Sequence, residues 1–425
     1  MVRVSTAATR LPVRLATAVL AAILSMGLFV PTGTATTNRT RSSCPNATLP
    51  PSPVDSSEVP APGEPTPKPL PVPEEPIGGP GMGHCGVVIP PEAPAPPKRV
   101  SSATWIVAEL DSGKVLAAKN PHGRYRPASV IKILTGLVAA RELELSDTIT
   151  ATESDAAVEG SAVGLEPGVD YTVRQVLTGL ILQSGNDAAH ALARKIGGTE
   201  ETVRRMNELA ERLRARDTRA ATTSGLDGPG MSTSAYDMAL ILRAALNDPE
   251  FARPAGTRRT RLPAPSGQPS VRIASDSDVM RDYPGAVFGK TGFTNDARHT
   301  RVVAAERNGR ELVAVLLRGE HRPVDLSEQA AALLDYGFRL NGDRVVGKLV
   351  ARRTPEPSTT STADTAVEAA QRTSEPESDR FPRTGVGLLI LLVVAMLLLV
   401  AALRLQRARR RAESANRRDD SEDSG

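Results

Sequence analysis

Ser129 and Lys132 stand three positions apart in RPASVIKILTG, residues 126–136. On a helix that offset makes the two side chains neighbours. Pro127 and Ala128 bring the chain to Ser129 near a helix start, where free amides and the helix dipole favour developing negative charge. The lysine lies among Val130, Ile131, Ile133 and Leu134. Burying a charged amine is costly unless it is paired or loses its proton. A neutral amine at that spot can draw the proton from the serine hydroxyl, so the pair suits nucleophilic catalysis. Alone, the pattern also describes a surface lysine one turn after a serine cap.

Two further constellations narrow the choice. Ser184-Gly185-Asn186, in LQSGNDAAHALA, sits at the junction of two helical patterns, and Lys290-Thr291-Gly292, in VFGKTGFT, lies on a strand-like run. Ser-x-x-Lys, Ser-x-Asn and Lys-Thr-Gly, in that order, form the motif set of penicillin-binding proteins and serine β-lactamases. The stretches ELDSGKVLAAKNPHGRYRPASVIK, GLILQSGNDAAHALA, TTSGLDGPGMSTSAYDMALIL and GKTGFT also resemble the D-alanyl-D-alanine carboxypeptidase family, across roughly residues 100–340.

The resemblance implies an α+β fold: an antiparallel sheet flanked by helices, with an inserted, mostly helical lobe and the site between them. It implies Ser129 as nucleophile, forming an acyl-enzyme with the penultimate D-alanine, and Lys132 as base. Ser184 would contact Lys132 and relay a proton to the leaving D-alanine. Asn186 would hold substrate and orient Lys132. Lys290 would attract the terminal carboxylate and keep Lys132 neutral by like-charge repulsion. Thr291 would hydrogen-bond that carboxylate, and Gly292 would let the strand pass close to the ligand. The amides of Ser129 and Phe293 would form the oxyanion hole. No metal or other cofactor is implied. The chain departs from the family at Arg298, where relatives usually carry glycine, and a bulky, charged residue there is expected to reshape the strand entry or the substrate channel. Many relatives also carry a β-rich second domain after the catalytic one, which is expected to be missing here.

Other chemistries fit less well. No Gly-x-Ser-x-Gly elbow supports a Ser-His-Asp hydrolase. No glutamate after Asn186 is followed four residues later by asparagine, the pair class A β-lactamases use to activate water. A DD-endopeptidase, a β-lactamase of the same fold and a non-catalytic penicillin-sensing or wall-binding module remain the alternatives. His122, His190, His299 and His321 show no metal-ligand spacing, and Asp227 in SGLDG reads as a turn former.

The elements that must position these residues are legible as patterns. Two β-rich runs flank Asp111-Ser112-Gly113 as a hairpin. Val173, Val176, Leu177 and Leu180 space like a helix face ending near Ser184. Residues 188–196 and 200–215 read as helices, and Ser234 caps another. From residue 286 three strand-like runs follow, two of them joined at Asn308-Gly309, and a last helix covers about 325–340. Strands come from both ends of the region, with helices between them.

The flanks set the location. Residues 1–35 read as a signal peptide, with Arg3, Arg10 and Arg14 before an apolar run. Residues 385–403 carry no charge and would span roughly 28 Å as a helix, enough for a bilayer core. Arg404, Arg407, Arg409, Arg410 and Arg411 follow, which places a 404–425 tail in the cytoplasm by the positive-inside bias. The region 100–345 is then an extracellular catalytic domain on a single-pass membrane protein. Residues 36–99, which hold 18 of the chain's 35 prolines, read as a disordered Pro-rich linker, and 346–384 as a Ser/Thr/Pro-rich linker. Cys44 and Cys85 are available to pair in an oxidising compartment or to stay free. The net charge of +4 needs no nucleic acid, because the arginines beside the span account for much of it and aromatic residues make up only 3% of the chain. The expected partners are peptidoglycan stem peptides ending in D-Ala-D-Ala, β-lactam antibiotics and the membrane.

Overall fold

Residues 44–350 are described by the computed structural model, and all of them belong to one contact unit. A two-residue strand, β1 (Val87–Val88), is followed by the expected hairpin of β2 (Thr104–Glu109) and β3 (Lys114–Lys119). A 3-10 turn over Ala128–Ile131 leads into α1 (Lys132–Glu142). Strands β4 (Thr148–Thr150) and β5 (Asp170–Thr172) pair with each other, with the one-turn α2 (Glu153–Ala156) between them. The helices α3 (Val173–Leu182), α4 (Asn186–Ile196), α5 (Thr199–Arg212), α6 (Ala235–Leu246) and α7 (Pro249–Ala255) follow. A second small hairpin, β6 (Arg259–Leu262) and β7 (Val271–Ala274), precedes the short α8 (Asp278–Asp282). The chain returns to the main sheet with β8 (Ala286–Thr294), β9 (Arg298–Arg307) and β10 (Arg310–Gly319), then closes with α9 (Leu326–Arg339) and β11 (Gly347–Lys348).

Local chemistry explains the helix starts. Thr172 accepts from the Gln175 amide while the Gln175 side chain accepts from the Thr172 amide, a capping box that opens α3. The Ser234 hydroxyl caps α6 at the Asp237 amide, 3.1 Å away. Between β9 and β10, Asn308 and Gly309 both take positive φ, as a two-residue hairpin turn requires.

The main sheet is antiparallel in the order β1-β3-β2-β10-β9-β8, with β11 added against β3. Its strands alternate between two cores. Ile106, Ala108, Val313 and Val315 face the helical lobe. Trp105, Val107, Leu312, Ala314 and Leu316 face α9, where they pack with Leu326, Ala330, Leu333 and Leu334. Strand β8 is the end of the sheet, and the 3-10 turn that carries Ser129 packs against β8 and β9. The cleft between sheet and helical lobe therefore opens at a strand edge.

The fold is the expected α+β arrangement, with a correction at the Pro-rich segment. Residues 44–99 are not a disordered linker but a strap laid on the domain. Arg124 donates to the carbonyls of Thr48 (2.8 Å), Leu70 (2.5 Å) and Pro71 (2.8 Å). Arg126 donates to the Pro51 carbonyl at 2.7 Å, and His122 Nε2 lies 2.9 Å from the Ile77 carbonyl. Arg219 holds the Lys68 carbonyl at 2.9 Å. A proline-rich chain has little backbone freedom to lose on ordering. It also keeps its carbonyls free of secondary structure, so side-chain donors can take them. Cys44 and Cys85 form a disulfide that closes this strap. At the other end, β11 and the buried Leu349 carry packed structure past residue 345. The expected signal peptide, the 385–403 span and the cytoplasmic tail lie outside the described residues. Among the described residues no helix is long and apolar enough to cross a membrane.

Candidate active site

The segment His122-Gly123-Arg124-Tyr125-Arg126-Pro127 delivers the chain to Ser129. Tyr125 is bridged to Thr233 through both backbone bonds, each 2.8 Å. Ala128 then takes φ 49°, a left-handed conformation that costs a residue with a Cβ of the order of 1 kcal/mol. Its carbonyl packs against Gly225, where any Cβ would collide with it. A Cβ at Gly292 would stand 2.8 Å from the Ser129 amide and 2.5 Å from Thr300 Oγ1. The Lys-Thr-Gly strand thus passes directly over the serine because this position has no side chain.

Lys132 is fully buried at the first position of α1. Its Nζ lies 2.9 Å from Ser129 Oγ and 2.7 Å from Asn186 Oδ1, and it also donates to the Ser224 carbonyl. Desolvation holds its pKa well below the ordinary lysine range, and the nearby Lys290 ammonium lowers it further, against the opposing pull of Asp276 and Asp187. Lys290 is also fully buried, and desolvation brings its pKa down to about 8, with Asp276 opposing and Arg301 adding to the shift. Lys290 Nζ donates to the Thr291 carbonyl at 2.9 Å.

Ser129, Lys132, Asn186, Lys290 and Gly292 are therefore brought together as the motif order implies. Three details differ from expectation. The Ser184 hydroxyl is buried without a hydrogen-bond partner, so it makes no bond to Lys132. Ser184 has φ 57°, and the lysine's bonding capacity is taken by Ser129, Asn186 and Ser224. The Asn186 amide nitrogen donates to the Glu159 carbonyl at 2.6 Å while its oxygen accepts from Lys132, so this side chain orients Lys132 and has one of its two amide hydrogens already engaged within the protein. Thr291 Oγ1 donates to Asp276 Oδ2 at 3.0 Å.

Arg298 does not disrupt the strand. The β8–β9 ladder continues to the pair Thr294 and Arg298. Arg298 takes φ 56°, a conformation glycine adopts freely, and its side chain lies along the surface. There Nε meets Glu320 Oε1 at 2.8 Å, and the guanidinium stands 5.5 Å from the centre of the Phe293 ring.

Sequence reasoning passes over Arg301 and gives Asp227 only a turn-forming role. Arg301 pairs with Thr291 across β8 and β9, is 6% exposed, and keeps Nε and one terminal nitrogen buried without partners. Desolvation lowers even its pKa, while Asp325, Asp278 and Asp276 oppose the shift. Its only signal in the sequence is an arginine inside an apolar strand pattern, and its place beside Thr291 needs the strand register. Asp227 is more than a turn former. Desolvation lifts its carboxyl pKa to about 6, Thr294 opposes this by hydrogen bonding, and Asp296 adds to it.

The fold and the site together define an active-serine enzyme of the penicillin-binding-protein and β-lactamase type. The family profile described as D-alanyl-D-alanine carboxypeptidase, peptidase S11, matches residues 91–321. The chain is 46% identical over 251 residues to the D-alanyl-D-alanine carboxypeptidase DacB2 of Mycobacterium tuberculosis, covering 58% of this chain and 85% of that protein. It is 33% identical to the D-alanyl-D-alanine carboxypeptidase DacF of Bacillus subtilis, over 55% of this chain and 61% of that protein. A crystal structure of a D-alanyl-D-alanine carboxypeptidase from Mycobacterium tuberculosis superposes with a TM-score of 0.59 at 43% identity, covering 61% of this chain and 99% of the other. The chain belongs to the D-alanyl-D-alanine carboxypeptidase family, and it is a serine peptidase.

Proposed function

We propose that this carboxypeptidase removes the terminal D-alanine of peptidoglycan stem peptides through an acyl-enzyme on Ser129, outside the cell and held to the membrane by residues 385–403. The reading is carried by one observation: a buried Lys132 amine with a strongly lowered pKa lies 2.9 Å from the Ser129 hydroxyl. The neutral amine takes the hydroxyl proton as Oγ attacks the carbonyl carbon of the penultimate D-alanine. The amides of Ser129 and Phe293 receive the developing oxyanion. The proton passes to the leaving nitrogen, through Ser184 in this scheme, as the C–N bond breaks and D-alanine departs. Water then attacks the ester, returns a proton to Ser129 Oγ and frees the shortened peptide. Penicillins acylate the same serine.

Lys290 and Arg301 support a free carboxylate on the departing residue. A buried guanidinium with two unpartnered N–H groups is costly unless an anion arrives to pair with it. Incubating the protein with a peptide ending in D-Ala-D-Ala should release D-alanine, and a fluorescent penicillin should label it. Ser129→Ala should abolish both. Arg301→Leu should lower kcat/KM for the free-acid peptide by about 10–100-fold, the worth of a charge-assisted bond of about 1.5–3 kcal/mol. It should leave the C-terminal amide of the same peptide nearly unchanged. Labelling without D-alanine release would instead favour a penicillin sensor.

A further inference from the structure

The orientation of Lys290 and Arg301 toward the substrate's terminal carboxylate, the reading on which this inference rests, fixes where the remainder of the stem peptide must go. Among the described residues strand β8 has a free edge, and an extended peptide adds to such an edge as another strand. An antiparallel peptide with its carboxylate at Lys290 and Thr291 runs its upstream residues past Phe293 and Thr294. They then reach the turn at residues 295–297.

The strap occupies the far end of that path. Val54 donates its amide to Asp296 Oδ1, in the turn, at 2.5 Å. Arg126, three residues before Ser129, holds both carboxylate oxygens of Glu58 and the Pro51 carbonyl, and its charge acts on Asp227 and Asp296. Asp227 in turn neighbours Thr294. Apolar side chains are exposed on three segments tied together here: Phe293 on β8, Leu226 beside Asp227, and Val54 on the strap. Exposed apolar side chains on adjoining segments offer surface that a bound peptide can cover. Residues 44–90 precede the stretch that the family model matches.

We propose that residues 51–59 of the strap form the wall of the cleft that receives the stem peptide upstream of the scissile D-alanine. The strap is then a specificity-determining part of the enzyme, and its effect is confined to substrates long enough to reach it. Acetyl-D-Ala-D-Ala ends before the wall, whereas a pentapeptide ending in D-Ala-D-Ala extends along it.

The test compares these two substrates on the detergent-solubilised full chain, with Val54→Asp and Glu58→Gln. Val54 is 69% exposed, so its substitution leaves folding intact. Val54→Asp should raise KM for the pentapeptide at least fivefold with kcat within twofold, and change neither constant for acetyl-D-Ala-D-Ala by more than twofold. Glu58→Gln, which loosens residues 51–58 from Arg126, should act in the same direction. Equal changes on both substrates would make the strap a structural brace and overturn the proposal, as would no change on either. Arg301→Leu separates the premise from the inference. If it affects neither substrate, the assumed orientation is wrong and the inference falls with it. If it weakens both and Val54→Asp weakens neither, the wall alone is refuted.

Discussion

Lys132 can act as a base only while uncharged, and Lys290 can attract a carboxylate only while charged. The two ammonium groups share one dry cleft, so each disfavours the charge of the other. Desolvation and Lys290 keep the Lys132 pKa well below the lysine range, and Lys290 titrates at about 8. Both are bases whose pKa is depressed in the folded protein, so protonation of Lys132 sets the acid side of activity and deprotonation of Lys290 sets the alkaline side. The profile of kcat/KM against pH should be bell-shaped, falling on the alkaline side near pH 8. Lys290→Arg carries a charge that does not titrate in this range. Its alkaline limb should move upward by more than one pH unit, even though the larger group lowers the maximum. An alkaline limb that stays near 8 in this variant would assign it to another group.

At the scale of elements, the strap shows both the reach and the limit of sequence reasoning. The hairpin at Asp111-Ser112-Gly113, the capped starts of α3 and α6, and the Asn308-Gly309 turn were legible because each depends on residues close in the chain. Ser129, Lys132, Asn186, Lys290 and Gly292 were legible because their motifs keep a fixed spacing and order. Arg301 was not, because its meaning comes from a cross-strand partner ten positions away. The strap was hidden for a related reason. Its proline content speaks of an extended chain, while its docking is specified elsewhere, by Arg124, Arg126, His122 and Arg219 in the domain. The Cys44–Cys85 bond closes a sequence separation of 41 residues. Opening such a loop releases about 4 kcal/mol of chain entropy in the unfolded reference. The double variant Cys44→Ser/Cys85→Ser should therefore show faster amide exchange over residues 44–85 and a melting temperature lowered by several degrees. Exchange in the core strands β2, β9 and β10 should change least, since the strap's polar bonds run to Arg124, Arg126, His122 and Arg219 rather than to those strands.

For the whole molecule, the catalytic unit and the segment proposed to hold it at the membrane occupy separate parts of the chain. The sheet and the buried side chains of both its cores lie within residues 77–349, from Ile77 to Leu349. The uncharged run 385–403 and the arginines after it lie beyond them, separated by a stretch rich in serine, threonine and proline. A span joined to a folded unit through such a tether contributes location and effective concentration near the wall, not geometry at the serine. Removing residues 385–425 should move the protein from the membrane fraction to the soluble fraction. Release of D-alanine from a soluble peptide should keep its kcat and KM within about twofold, because Ser129, Lys132, Lys290 and Arg301 are all held by contacts inside the unit. Activity on intact wall material should fall more steeply, as the enzyme loses its confinement to that surface. A truncated chain that stays with the membrane would refute the anchoring, and one that loses activity on the soluble peptide would show that the segment does more than anchor.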